Sequence, residues 1–402
     1  MQRQGSRRRF WRATIAVTAL AAVAGLGFVP GAQARARART IGIGEFRLGG
    51  TAFDQLRSNW IDQVLSRYPE HTWAPMRFDL SDADLRLMGL PSKRVLLAHR
   101  YRVPTAVYPN GRMRTLAALT TKRSRTSKKG SSQSSSSPGV ITYAGLGAFG
   151  IRPGAWLLLF SGGSVGWCSL AHVYGTPGNY EISTAGHCGK PGDTATVIGA
   201  VGNHQIGGQT VPVLLDFGKF AVSHSSPNDD SDIGHDWALI SIYPQYQNLV
   251  TPTMAFWGGP IGMYRAVGDL ASVDFHNLNG LPTVSTNANP ALAQQIVHYG
   301  HGAGLGAGGT PRSGTAITWT STYYMFFGAI SPGDSGSGAN TVTGDSVGAE
   351  RQAAGIMTHL WVDPLMRQGL GIMAGTRATQ VAATLANGQI LPYPAPTPVP
   401  LP

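Results

Sequence analysis

The sequence predicts an all-β protein preceded by a small α+β segment, on three observations. Beyond residue 139 the apolar residues fall in short runs, at 156–160, 196–201, 211–217 and 317–319, separated by glycine, proline and asparagine. Runs of that length between turn formers read as strands. Residues 237–242, Trp-Ala-Leu-Ile-Ser-Ile, are a further run too short for a helix. A helical apolar periodicity stands instead near the N-terminal end, in residues 51–68.

Taken in order, residues 1–34 read as an export signal, with a basic start, an apolar run over 13–29 and a small-residue exit at Ala32-Gln33-Ala34. Ser6-Arg7-Arg8-Arg9-Phe10-Trp11-Arg12 also has the consecutive arginines and following phenylalanine of a twin-arginine signal. An ordinary basic signal is the alternative. A retained anchor is disfavoured, because the run is short for a membrane span. Within a foldable unit at 35–120, Phe53, Leu56, Trp60, Ile61, Val64, Leu65 and Tyr68 recur at three- and four-residue steps and predict an amphipathic helix. Ser81-Asp82 caps a second, short helix ending at Gly89. Val95-Leu96-Leu97 and residues 105–108 read as strands, the latter leading into a turn at Pro109-Asn110-Gly111.

Residues 121–139, basic and then serine-rich, are too polar to bury and predict a disordered linker open to proteolysis. Residues 140–390 form the main domain, and 391–402 a proline-rich, extended tail. The formal net charge of +12 suggests a polyanionic partner until it is divided by position. Residues 1–138 hold 24 Lys and Arg against 7 Asp and Glu, a balance of +17, and the remainder holds 8 against 13, a balance of −5. The main domain is therefore mildly acidic. The serine tract has no interleaved aromatics, so nucleic acid is not expected as a partner. The glycine run 300–309 lacks a complete dinucleotide fingerprint and reads as a surface loop, with His298 and His301 as loop residues.

Chemistry enters with three short signals: Thr184-Ala185-Gly186-His187-Cys188, Asp236 ahead of the run 237–242, and Gly333-Asp334-Ser335-Gly336. A serine hydroxyl is a poor nucleophile at neutral pH. It needs an imidazole to take its proton and a buried carboxylate to orient the imidazole. His187, Asp236 and Ser335 supply one of each. Asp229, Asp230 and Asp232 compete with Asp236, but only Asp236 directly precedes a core-strand run. The rivals sit in a polar turn, where a calcium site is the minor reading.

The order His, Asp, Ser and these motifs resemble the trypsin/chymotrypsin peptidase family, especially its secreted bacterial, streptogrisin-like branch, over residues 139–385. The resemblance implies two six-stranded antiparallel barrels of chymotrypsin type, with His187 and Asp236 from the first and Ser335 from the second. It implies a secreted serine endopeptidase that acts on protein or peptide through a Ser335 acyl-enzyme, without cofactor or metal and without stable membrane association once the signal is removed. It assigns Gly333 and Ser335 to the oxyanion hole and Asp334 to the turn that shapes it, paired with a cation. Val140 or Ile141, as a new N-terminus, would supply an ammonium, since the segment 296–300 contains no arginine. The segment 35–120 becomes a pro-domain of a zymogen or a permanent accessory domain.

By the same resemblance Ala329 lies at the base of the primary pocket and Thr358 and His359 lie on the substrate-facing strand. Uncharged Phe327, Gly328 and Ile330 around Ala329 predict cleavage after apolar or small side chains rather than Lys or Arg, while His359 offers an acidic preference instead. The two cysteines, Cys168 and Cys188, predict one bridge beside His187, with zinc binding the minor alternative. Ser337 replaces the glycine usual after Gly-Asp-Ser-Gly. That departure keeps a competing reading open, a non-catalytic protease-like binding protein.

Overall fold

The N-terminal helix forms where the periodicity places it. In the computed structural model, which describes residues 50–68, 72–115, 151–199, 205–206, 209–225, 233–254, 257–274, 283–286, 289, 292–300, 310–330, 333–342, 351–362 and 370–385, α1 spans Gly50–Arg67. Leu56, Trp60, Ile61 and Val64 are buried along one stripe, and Asp54, Gln55, Ser58 and Asp62 face water. Each buried aliphatic side chain stabilises the docked helix by about 1.5–3 kcal/mol. The export signal, the linker, the tail, residues 229–232, Val140, Ile141 and His301 lie outside the described residues.

Helix α2, Asp82–Leu87, starts at a capping box in which the Ser81 and Asp84 side chains each accept the other's backbone N–H. Asn59 Nδ2 donates to Asp84 Oδ1 at 2.7 Å and ties α2 to α1. Residues 95–97, expected as a strand, instead belong to helix α3, Lys93–Leu97. A run of three apolar residues fits either state, and here only Leu96 is buried. The strand expected at 105–108 forms as β3, Thr105–Val107, and beyond the turn, where Gly111 has φ 80°, it pairs with a strand the sequence did not announce, β4, Met113–Thr115, to make a hairpin.

Two very short strands, β1 (Trp73–Pro75) and β2 (Phe78–Asp79), do not pair with this hairpin. They join the sheets of the main domain. The first of these sheets is built from β5 (Trp156–Ser161), β6 (Ser164–Ser169), β7 (Val173–Thr176), β8 (Asn179–Thr184) and β9 (Thr194–Gly199). After a separate pair, β10 (Gln205–Ile206) with β11 (Gln209–Thr210), it is completed by β12 (Val213–His224) and β13 (Trp237–Ile242). Its order is β2-β6-β5-β9-β12-β13-β8-β7, with β3 laid against β12. Asp216 on β12 reinforces that seam. Its backbone N–H donates to Tyr101 O, and its carboxylate accepts from Tyr101 N–H and Thr196 Oγ1.

The second sheet follows β14 (Gly268–Asp269) and the pair β15 (Ala271–Asp274) and β16 (Thr283–Thr286). It comprises β17 (Gln295–Gly300), β18 (Thr310–Trp319), β19 (Tyr323–Ala329), β20 (Gly338–Val342), β21 (Ala353–Trp361) and β22 (Leu370–Arg377), followed by helix α4 (Ala378–Ala382). The order is β21-β20-β17-β18-β19-β22, and β22 pairs back onto β21. These six strands close a barrel around Ile296, Ala316, Tyr324, Phe326, Ala339, Met357 and Met373.

The protein is thus mostly β with few helices. Of the two barrels implied above, the described residues close this one and leave the first sheet open between β2 and β7. His298, expected in a loop, is a fully buried residue of β17. No described helix is long and apolar enough to cross a membrane.

Candidate active site

Three chain segments converge on His187. Strand β8 ends at Thr184, and the 3-10 turn Gly186–Cys188 carries the imidazole out of the sheet. Gly186 is required there, since a Cβ would stand 1.8 Å from His224 O and 2.9 Å from Asp236 Oδ1. Asp236, immediately before β13, accepts the His187 backbone N–H on Oδ1 at 2.9 Å and meets Nδ1 with Oδ2 at 2.5 Å. From the other sheet Ser335 Oγ reaches His187 Nε2. Ser335, His187 and Asp236 therefore form one hydrogen-bonded line, the arrangement a serine nucleophile needs.

The carboxylate's environment suits that role. Burial alone would raise the Asp236 carboxyl, but the His187 ring, the His187 backbone N–H and the nearby His359 outweigh it and hold the group below the usual range. It stays an anion.

The turn 333–336 has the geometry its glycines predict. Gly333 and Gly336 have φ of 89° and 84°, the left-handed region that favours glycine. Space forbids a side chain as well, because a Cβ at 336 would lie 2.1 Å from Thr184 Oγ1 and one at 333 would lie 2.7 Å from Trp167 Nε1. Ser169 N–H donates to Ser335 O at 2.7 Å, joining the turn to β6.

Asp334 is fully buried and ion-paired to Arg312 of β18, whose side chain is 3% exposed. The cation sought for this carboxylate is thus internal, and no new ammonium at Val140 or Ile141 is required for the pair. Arg312 stands opposite His298 in the β17–β18 register, one strand away from the arginine-free segment 296–300. Gly300 leaves room for Asp334, since a Cβ there would fall 2.0 Å from Asp334 Oδ1. Ser337 is buried with its hydroxyl donating to Tyr299 O at 2.9 Å. The departure from glycine is accommodated.

Cys168 and Cys188 form a disulfide that ties β6 to the turn carrying His187. The two sulfurs and His187 cluster within 4.8 Å, a spacing open to a metal, but sulfurs bonded to each other offer no thiolate. Closing a loop of this size contributes about 3 kcal/mol in the chain-entropy treatment.

The remaining site residues fall on two strands. Ala329 ends β19, with its carbonyl 3.1 Å from His298 Nε2. Thr358 is buried in β21, its Oγ1 donating to Ala374 O. His359 is buried on β21, with Pro75 of β1 opposite it. Its Nδ1 lies 2.9 Å from Thr358 Oγ1 and 3.8 Å from Asp236 Oδ2, and its ring centroid is 6.0 Å from that of His187. A basic surface pocket lined by Arg100, Arg102, Asp216 and Lys219 includes none of these residues.

Burial pushes three histidines down from their ordinary value of 6.5: His172 to about 4, His359 to about 4 and His298 to about 3. The unfolded chain takes up these protons first as pH falls, so the stability linked to the neutral rings is complete above about pH 6.5 and is lost on the way down to about pH 4 for His172 and His359 and about pH 3 for His298. The thermal unfolding midpoint is expected to drop steadily across that window; a midpoint constant from pH 7 to pH 4 would contradict it.

No protein-family model matches the chain, and no curated protein does. Among solved structures it is similar to Thermobifida fusca Protease A, at 17% identity and a TM-score of 0.32, covering 60% of this chain and 99% of that one. It is similar also to Cellulomonas bogoriensis chymotrypsin, at 18% and 0.31, covering 60% and 98%, and to a Nocardiopsis protease, at 15% and 0.28, covering 58% and 95%. Likenesses of that size carry no functional conclusion, which rests instead on His187, Asp236, Ser335 and the turn beneath them.

Proposed function

We propose that the protein is a serine endopeptidase with a His187/Asp236/Ser335 triad. The observation that carries this reading is the unbroken line from Ser335 Oγ through His187 to Asp236, set beside a glycine turn. Ser335 Oγ attacks the peptide carbonyl carbon while His187 Nε2 takes its proton. Asp236 holds the Nδ1–H and stabilises the imidazolium. The Gly333 and Ser335 N–H groups receive the developing oxyanion. His187 then protonates the leaving amine, and water hydrolyses the acyl-enzyme by the same route. No cofactor takes part, the substrate is protein or peptide, and neither nucleic acid nor a membrane is a partner.

The uncharged surroundings of Ala329 support cleavage after apolar side chains. We further assign the mature enzyme to the outside of the cell, and the segment 35–120 to restraining it until the linker 121–139 is cut. The hydrogen bond that satisfies Ser337 supports this reading over a non-catalytic protease-like binding protein. A serine-directed fluorophosphonate should modify Ser335 alone, as peptide mapping by mass spectrometry will report; an unmodified Ser335 in protein freed of its N-terminal segment would reject the assignment. Asp236→Asn should lower kcat by about 10⁴-fold by favouring the wrong imidazole tautomer. Asp232→Asn should leave it unchanged, and the reverse ranking would identify a different carboxylate.

A further inference from the structure

The Ser335 side chain is completely buried and that of His187 is 8% exposed, although both belong to a site meant for an external peptide. The cover is the chain itself. Strand β1 runs antiparallel to β21 with Trp73 opposite Trp361, Ala74 opposite Leu360 and Pro75 opposite His359. It takes up the edge of β21 beyond the point where β20 leaves, at Ile356. The next residue, Met76, donates its N–H to Thr358 O at 3.1 Å and accepts the Gly333 N–H on its carbonyl at 3.2 Å. Beyond it β2 pairs with β6, Phe78 opposite Trp167 and Asp79 opposite Gly166.

The stretch from Trp73 to Asp79 is thus an extended peptide held by strand pairing on both sides of the triad, and the Met76 carbonyl sits on an oxyanion-turn donor. That is how a peptide adds to a sheet edge as a ligand. The Met76 side chain is fully buried in a cluster with Ile330, Leu360 and Trp167. Arg77 Nη1 donates to His187 O and Cys188 O, both at 3.3 Å.

We propose that residues 73–79 are the enzyme's own substrate-like inhibitor, with the Met76–Arg77 bond at Ser335, and that the freed site prefers a long apolar side chain, unbranched at Cβ, in the pocket Met76 fills. The proposal rests on the peptidase reading above. Helix α1 explains why the stretch blocks the site instead of passing through it. Trp60 Nε1 donates to Arg77 O at 3.2 Å, and Gln63 binds both the carbonyl and the N–H of Asp79. If Ser335 Oγ bonds to the Met76 carbonyl carbon, the C–N bond to Arg77 breaks and His187 passes the Oγ proton to the Arg77 nitrogen. That amine stays clamped beside the acyl-enzyme, and the reverse reaction competes with water.

The test uses the full chain. Wild type and Met76→Leu should react slowly with a fluorophosphonate, and Met76→Asp at least about tenfold faster, because an apolar pocket disfavours a carboxylate. Arg77→Glu, at a half-buried position less critical to folding, should accelerate labelling too. In a Ser335→Ala background, trypsin should cut after Arg77 in Met76→Asp but not in the parent. Once released, the site should cleave a peptide library chiefly after Met and Leu. Equal labelling of all variants with Arg77 protected throughout would overturn the proposal and leave the peptidase reading standing. No labelling of any variant, with Arg77 opened in Met76→Asp, would reject the peptidase and keep residues 73–79 as the ligand of the cleft.

Discussion

Ser335→Ala, compared with wild type after both are freed of the N-terminal segment, should lose peptide hydrolysis by about 10⁴- to 10⁶-fold in kcat while keeping the wild-type thermal midpoint. On the proposed mechanism the hydroxyl is the group that forms the covalent bond. Apart from His187 it has no structural duty, since the backbone of residue 335 is held by Ser169 N–H and the turn by Gly336 N–H on Met357 O. Alanine keeps that backbone. His187→Ala should be equally severe, and the double variant no worse than either single one, because the two groups act as a unit. Turnover of a fluorogenic peptide measures all three. Comparable rates in wild type and Ser335→Ala would dismiss the mechanism outright.

Arg312→Met should be the most damaging single change to stability, at about 3–5 kcal/mol, because it leaves the Asp334 carboxylate buried without its cation. The ion pair itself need not stabilise the fold relative to an apolar pair. Breaking one side of it is what costs. The double variant Arg312→Met/Asp334→Leu should therefore recover much of the loss in a urea titration, a coupling that two independent sites would not show. It should not recover activity, since the turn that presents Gly333 and Ser335 is built on Asp334. An Arg312→Met protein with an unchanged denaturation midpoint would mean that the carboxylate is protonated or paired elsewhere.

What was legible in the sequence was local. The strand at Trp237–Ile242 has the bounds of its apolar run, and its start places Asp236, the aspartate that meets His187, at the head of β13. Helix α1 followed from its stripe. Residues 95–97 misled because three apolar residues carry no period, and the cap residue Ser92 makes no side-chain hydrogen bond to advertise a helix start. Arg312 was missed for a different reason. It meets Asp334 through the register of β17 on β18, and register across the intervening segment leaves no trace in spacing. The role of β1 was equally hidden: Trp-Ala-Pro has neither alternation nor length, and its partner strand lies near the other end of the chain.

That last pairing also sets an order of events during synthesis. Trp73 leaves the ribosome long before Trp361, and the barrel that seats Ser335 is incomplete until β22 has been made. Contacts between such distant residues carry a large loop-closure cost and form late. The nascent chain therefore completes the barrel around Ser335 only when the stretch from Trp73 to Asp79 has already been made, so the covering segment needs no later delivery and has only to dock.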